Sequence, residues 1–135
     1  MLGSAQFGSS SSSAPTIVIA DLEAGIGTLT RLSPNSIDVI VVVVEPTPRS
    51  IDVAQRAITL AAERSHGAVI IVANRVVDAV DEARVADAFP GHRIVYVPFD
   101  QAIADADRDG LSPLDSAADC PGVVALMSVA GIAVP

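Results

Sequence analysis

The chain has 135 residues, of which 50% are hydrophobic and only 3% aromatic, so one domain with a core of Val, Ile, Leu and Ala is expected. Its net charge of −8 argues against nucleic acid and against an anionic membrane surface, which both select basic proteins. Cys120 is the only cysteine, so no internal disulfide can form, and a reducing, cytoplasmic setting is expected. No apolar run reaches the ~20 residues that span a bilayer.

The first part of the chain predicts a disordered leader followed by two strands. Residues 1–15 are small and polar, with consecutive serines at Ser9–Ser13, and are expected to be flexible. Thr16–Ala20 reads TIVIA and predicts a short strand, which the loop Asp21–Gly27 follows. Ser36–Val44 is the clearest strand, because its end is an unbroken β-branched run of the kind found in central parallel strands.

The rest of the chain alternates helices and strands. Ser50 is expected to cap a helix, because a serine hydroxyl can accept a hydrogen bond from a free amide of the first turn. The remaining predicted elements are a helix over Ile51–Arg64, a strand over Ala68–Ala73, a loop over Asn74–Asp78, a helix over Asp81–Ala88, a strand over Arg93–Val97, a helix over Ala102–Asp107, a helical turn over Leu114–Ala118 and a helix over Gly122–Ile132. This order predicts an α/β fold with a parallel sheet of about four strands and flanking helices.

Polar residues follow the predicted strands, at the sheet edge where α/β proteins bind ligands. Asp21 could hold Mg²⁺ with Gly25 near a phosphate, or it could cap a helix beside a turn glycine. Asn74 could pair with the edge of a base, or it could simply make a turn. Arg49 could meet an anion or remain a solvated arginine, and the backbone of Pro98–Asp100 could line a base pocket.

The phosphate-binding loop G-x-x-x-x-G-K-[ST] does not occur in this sequence. The chain contains no lysine, since arginines supply all 8 of its basic residues. Gly25-Ile26-Gly27 is an isolated G-x-G, which is a weak signal. No set of residues with the spacing of a catalytic triad is present either, so no catalytic residue is predicted.

Four segments in this order resemble the later half of the MinD/ParA-like P-loop ATPases. They are IVIADLEAGIGTLTR at Ile17–Arg31, VIVVVVEPTPRSID at Val39–Asp52, IIVANRV at Ile70–Val76 and IVYVPFDQAIADADRDGLSPLD at Ile94–Asp115. Within that family the pattern is most similar to the accessory ATPases that help insert nickel into carbon monoxide dehydrogenase. The resemblance implies part of a Rossmann-like, three-layer P-loop NTPase fold over residues 16–135.

The resemblance also implies ATP or ADP and Mg²⁺ as ligands, with roles for single residues. Asp21 matches the aspartate that holds Mg²⁺ through water, and Gly25 matches the glycine that senses the γ-phosphate. Asn74, with Arg75 beside it, matches the asparagine that binds the adenine. Pro98, Phe99 and Asp100 match a loop beside the base, and Glu45 and Arg49 match a segment near the dimer interface or the nucleotide.

Because the first half of the family pattern is absent, the chain is not expected to hydrolyse ATP alone, and nickel binding is not carried over. In that family the strand before the phosphate loop lies between the strands matched here by Thr16–Ala20 and Asp38–Val44. The expected partners are therefore a second copy or a chain that carries the phosphate loop. Two other functions stay open: a split or decayed regulatory subunit that pairs with such a chain, and a flavodoxin-like module for another small ligand.

Overall fold

The structure is a computed structural model, and it describes residues 17–21, 37–63 and 67–133. The predicted leader and most of the Asp21–Gly27 loop lie outside these residues. Three strands and five helices occur in the described part of the chain: β1 Val39–Val44, α1 Pro48–Glu63, β2 Ala68–Val76, α2 Ala79–Ala88, β3 Arg93–Pro98, α3 Gln101–Arg108, α4 Pro113–Ser116 and α5 Pro121–Ala133. None of these helices is long and apolar enough to cross a membrane.

The three strands form one parallel sheet in the order β1-β2-β3. The register pairs Val44 with Ala73 across β1 and β2, and Ala73 with Tyr96 across β2 and β3. The α/β class and the parallel sheet are therefore confirmed. Gly67 allows the close approach at the start of β2, because a Cβ there would lie 1.8 Å from the carbonyl oxygen of Asp38.

The side chains of the strands point alternately to the two faces of the sheet, and each face packs in an apolar layer. Helices α1 and α2 cover one face of the sheet, where Ile71 is 0% exposed and packs with Val44, Val85 and Phe89. Helix α5 packs against β3, and its Val123 is buried. This arrangement explains why the strands read as continuous apolar runs, as expected for a parallel sheet with helices on both faces.

The prediction of a first strand over Thr16–Ala20 is wrong for residues 17–20, which are the part of it that the structure describes. Ile17–Ala20 has no regular secondary structure, and the side chain of Ile19 is 90% exposed. A strand of four or five residues has no stability of its own and forms only when a neighbouring strand accepts its hydrogen bonds. The described sheet consequently has three strands where about four were expected.

Two local predictions also need correction. The helix after β1 begins at Pro48, two residues before the expected cap, and the Ser50 amide donates to Oγ1 of Thr47 over 3.3 Å, so Thr47 takes the capping role. Oγ of Ser50 instead accepts a bond of 3.0 Å from the Glu45 amide and closes the loop between β1 and α1. Strand β2 continues to Val76, where a loop from Asn74 was expected.

Candidate functional site

The carboxyl ends of the three strands lie side by side and carry several of the predicted site residues. Glu45 follows β1, and Phe99 follows β3. Asn74 and Arg75 lie near the carboxyl end of β2. In a parallel sheet these ends share one edge, which is where ligands bind in open α/β folds. The structure therefore brings Glu45, Arg75 and Phe99 together although they are far apart in sequence.

The backbone of Arg75 is the unusual feature of this edge. Its φ is +59°, in the left-handed region that residues with a Cβ adopt rarely, and the β2–β3 register is irregular between Ala73 and Val76. Such a bulge re-aims the side chain that it carries. A non-glycine residue held in this region costs ~1–3 kcal/mol, and such residues concentrate at functional sites.

The re-aimed Arg75 side chain lies between the ends of the other two strands. Its Nη1 atom is 3.6 Å from Oε1 of Glu45, and its Cζ atom is 6.0 Å from the ring centroid of Phe99. Both contacts are exposed to solvent, so each contributes well under ~1 kcal/mol to stability. The arrangement positions a guanidinium and an aromatic face at the ligand edge more than it stabilises the fold.

A cavity of about 260 Å³ opens beside these residues, between the ends of β2 and β3 and the start of α2. Of the predicted site residues, Pro98 lines it. The rest of the lining consists of residues that no sequence motif indicated: Val76, Val77, Asp78, Ala79, Glu82 and Tyr96. The cavity is smaller than the ~300–1,000 Å³ typical of complete small-molecule sites, so it suits part of a ligand.

Asp78 could have been recognised from the sequence, because it stands directly before α2 as a helix cap does. Its Oδ1 atom accepts bonds of 2.9 Å from the amides of Val80 and Asp81. The carboxylate of Glu82 lies one turn further along the same cavity wall. The lining of the cavity therefore combines apolar side chains with the carboxylate residues Asp78 and Glu82.

Asp100 connects two helices rather than projecting freely from its loop. One carboxylate oxygen accepts a bond of 3.0 Å from the Ala102 amide at the start of α3, and the other accepts a bond of 3.0 Å from the Gly122 amide at the start of α5. The bond from Gly122, followed by those from Cys120 and Ala102, holds the pKa of Asp100 below its usual value. That Asp100 also lies beside a base stays a prediction.

The metal-binding prediction rests on residues that the structure hardly describes. Asp21 is exposed at the end of the described segment 17–21, and Gly25 lies outside the described residues. Within the described ranges, no three His, Cys, Asp or Glu side chains converge as metal ligands. These residues alone do not form a site for Mg²⁺, which would have to bring phosphate oxygens and water as its main ligands.

The fold and the position of these residues define part of a Rossmann-like α/β domain. The chain is similar to the carbon monoxide dehydrogenase accessory protein CooC of Rhodospirillum rubrum, with 33% identity over 104 residues. The match covers 76% of this chain and 40% of that protein, so the chain spans well under half the length of its curated relative. The resemblance to carbon monoxide dehydrogenase accessory proteins is thereby confirmed. No family model matches the chain, and no solved structure gives a significant match.

Proposed function

We propose that this chain supplies the base side of an adenine-nucleotide site in a MinD/ParA-like accessory ATPase, and that it does not hydrolyse ATP alone. The observation that carries this proposal is the bulge at Asn74–Arg75, which places Arg75 between Glu45 and Phe99 at the edge where the cavity opens. The half-buried Asn74 next to it offers the donor and acceptor that an adenine edge requires.

The second part of the proposal, that the chain does not hydrolyse ATP alone, rests on the absence of a phosphate-binding loop from its sequence. Phosphoryl transfer depends on donors and a metal that position and neutralise the γ-phosphate. A phosphate loop with its lysine is absent from the sequence, and Asp21 is the one candidate for Mg²⁺. ATP turnover by the purified chain that disappeared on Asp21→Ala would overturn this part.

The sharpest test compares adenosine with ADP by amide NMR titration of the chain at millimolar ligand. Because the phosphate side is lacking, we expect the two ligands to bind with similar affinity, with or without Mg²⁺. The shifts should concentrate at the amides of Arg75–Asp78 and Phe99–Asp100. Phosphate-dependent tightening by ADP, or no shift at these amides, would contradict the proposal, and a response to flavin mononucleotide alone would favour a flavodoxin-like module.

Two variants and a control assign the binding to this edge. Asn74→Ala and Arg75→Ala should each weaken adenosine binding roughly two- to tenfold, the equivalent of one lost hydrogen bond. Arg56→Ala is the matched control, because Arg56 is an exposed arginine that forms one ion pair, with Asp52, on α1. Equal affinities of the Asn74, Arg75 and Arg56 variants would remove the adenine site from this edge.

A subunit that pairs with another chain is the second candidate function, and the outer edge of β1 favours it. Beside this edge, the apolar side chains of Val41 and Val43 are exposed on one face of the strand. In this interpretation the partner contributes the phosphate side. A monodisperse monomer by light scattering that is also stable to heating would argue against this second function.

A further inference from the structure

Two side chains of α2 connect the loops that follow β1 and β2. Oδ2 of Asp81 accepts a bond of 3.1 Å from the Val77 amide, and Oδ1 of Asp81 accepts a bond of 3.0 Å from Nη1 of Arg84. The same Nη1 atom donates over 3.0 Å to the carbonyl oxygen of Pro46. Asp81 and Arg84 therefore form a bridge between Val77 and Pro46, which is called the α2 bridge below.

The two ends of the α2 bridge flank the ion pair at the ligand edge. Pro46 directly follows Glu45, and Val77 comes two residues after Arg75. The 3.6 Å between Nη1 of Arg75 and Oε1 of Glu45 exceeds a normal hydrogen bond, and both side chains are exposed, so this contact is too weak to fix its own geometry. The relative position of the two side chains therefore depends on how their loops are held, and the α2 bridge joins these loops.

The loop after β1 is stiff enough to transmit a hold on Pro46 to Glu45. The Glu45 amide donates to Oγ of Ser50 over 3.0 Å, and the Glu45 carbonyl accepts a bond of 2.7 Å from the Thr47 amide. The proline ring fixes φ at Pro46 and restricts the backbone of the residue before it. Fixing the Pro46 carbonyl consequently restricts the backbone from which the Glu45 side chain extends.

The α2 bridge contributes more to position than to stability. The side chain of Arg84 is 44% exposed, and an exposed pair of residues at i and i+3 on a helix adds little to the stability of the fold. Helices α1 and α2 are also joined independently, because the side-chain amide of Gln55 donates over 3.1 Å to the carbonyl oxygen of Ala88 at the other end of α2. Loss of Arg84 should therefore loosen the loop after β1 and leave the helices packed.

We propose that Arg84 is a positioning residue of the ligand edge: held by Asp81, it fixes the loop after β1 so that Glu45 orients the guanidinium of Arg75. Arg84 acts through the pair of Glu45 and Arg75 and not through contact with a ligand. The effect on adenosine binding rests on the proposed function, whereas the effect on the loop is a property of the free chain.

The free chain is tested with two variants and a matched control. Arg84→Met removes the donors and keeps an apolar stem, and Arg84→Lys keeps a positively charged donor. Gln55→Met is the control, because it removes another bond from a side chain to a backbone carbonyl of a different element. Hydrogen exchange of the Glu45 amide should accelerate roughly two- to tenfold in Arg84→Met and stay close to wild type in the other two variants. The Nε–H resonance of Arg75 should shift in Arg84→Met alone.

The adenosine titration then shows whether the α2 bridge acts through Arg75. Arg84→Met should weaken adenosine binding by roughly two- to fivefold, and Arg84→Lys should retain most of the affinity. In the Arg75→Ala background, Arg84→Met should have no further effect, because the side chain that it positions is absent. An effect of equal size in both backgrounds would show that Arg84 serves the fold and not Arg75, and would overturn the proposal.

Failure of this proposal can be distinguished from failure of the adenine site. If adenosine does not bind the wild-type chain, the adenine site is refuted, and the Glu45 amide and the Arg75 resonance still decide whether Arg84 positions the loop. If adenosine binds as expected but Arg84→Met leaves the amide exchange, the Arg75 resonance and the affinity unchanged, the positioning role alone is refuted.

Discussion

Because the φ of Arg75 is positive, we expect glycine to be more stable than alanine at this position, which is the reverse of their usual order in a strand. Arg75→Ala and Arg75→Gly both remove the contacts with Glu45 and Phe99, so those losses cancel when the two variants are compared. They differ in tolerance of the left-handed conformation at φ +59°. Alanine keeps the steric penalty of ~1–2 kcal/mol, and glycine avoids it.

Glycine normally costs about 0.5–1 kcal/mol relative to alanine inside a strand, because it loses more chain entropy on folding. The difference between the two ranges leaves the glycine variant more stable by ~0–1.5 kcal/mol, with a midpoint of ~0.75 kcal/mol. Urea unfolding at pH 7 measures this difference, and the midpoint corresponds to ~3–6 °C in melting temperature for a domain of this size. If the alanine variant is clearly the more stable of the two, the left-handed conformation of Arg75 is refuted.

Three further predictions concern the sheet and its connections. Ile71→Ala should lower the free energy of unfolding by about 2–5 kcal/mol because Ile71 is fully buried, while the exposed Val43→Ala should change it by less than about 0.5 kcal/mol; urea unfolding compares the two. Gly67→Ala should cost about 1–3 kcal/mol, since its Cβ would overlap the carbonyl oxygen of Asp38, and retention of wild-type stability would contradict that close approach. Asp100→Asn should be less stable than wild type at pH 7, and the gap should close as pH falls through the lowered pKa of the folded carboxyl, below the ordinary value near 4; a gap that is independent of pH in urea unfolding would refute the role of that carboxylate.

Local sequence signals predicted most of the fold. The β-branched run of β1, the alternation of helices and strands, and the glycine and proline breaks are properties of short segments, and the three described strands follow them. The strand at Thr16–Ala20 failed because strand formation depends on a neighbour, which no local pattern supplies. The cap at Ser50 failed for a different reason: Pro48 favours the first helical position, so Thr47 was the better choice.

The candidate site was predicted only in part. Sheet topology is enough to place Glu45, Asn74 and Phe99 at one edge, because the carboxyl ends of parallel strands share it. The left-handed Arg75 has no signal of its own, since arginine is not a residue that marks positive φ. The walls formed by Val77 and Tyr96 depend on how α2 packs over the strand ends, which is a tertiary property.

The strand order also has a consequence for synthesis. Within the described residues, each strand pairs with the next one along the chain, so β1 leaves the ribosome before β2, and β2 leaves it before β3. During that interval β1 has neither β2 nor β3 to pair with. Acidic residues stand at both ends of the strand, Asp38 before it and Glu45 after it, and like charges at strand ends oppose edge-to-edge pairing between nascent copies.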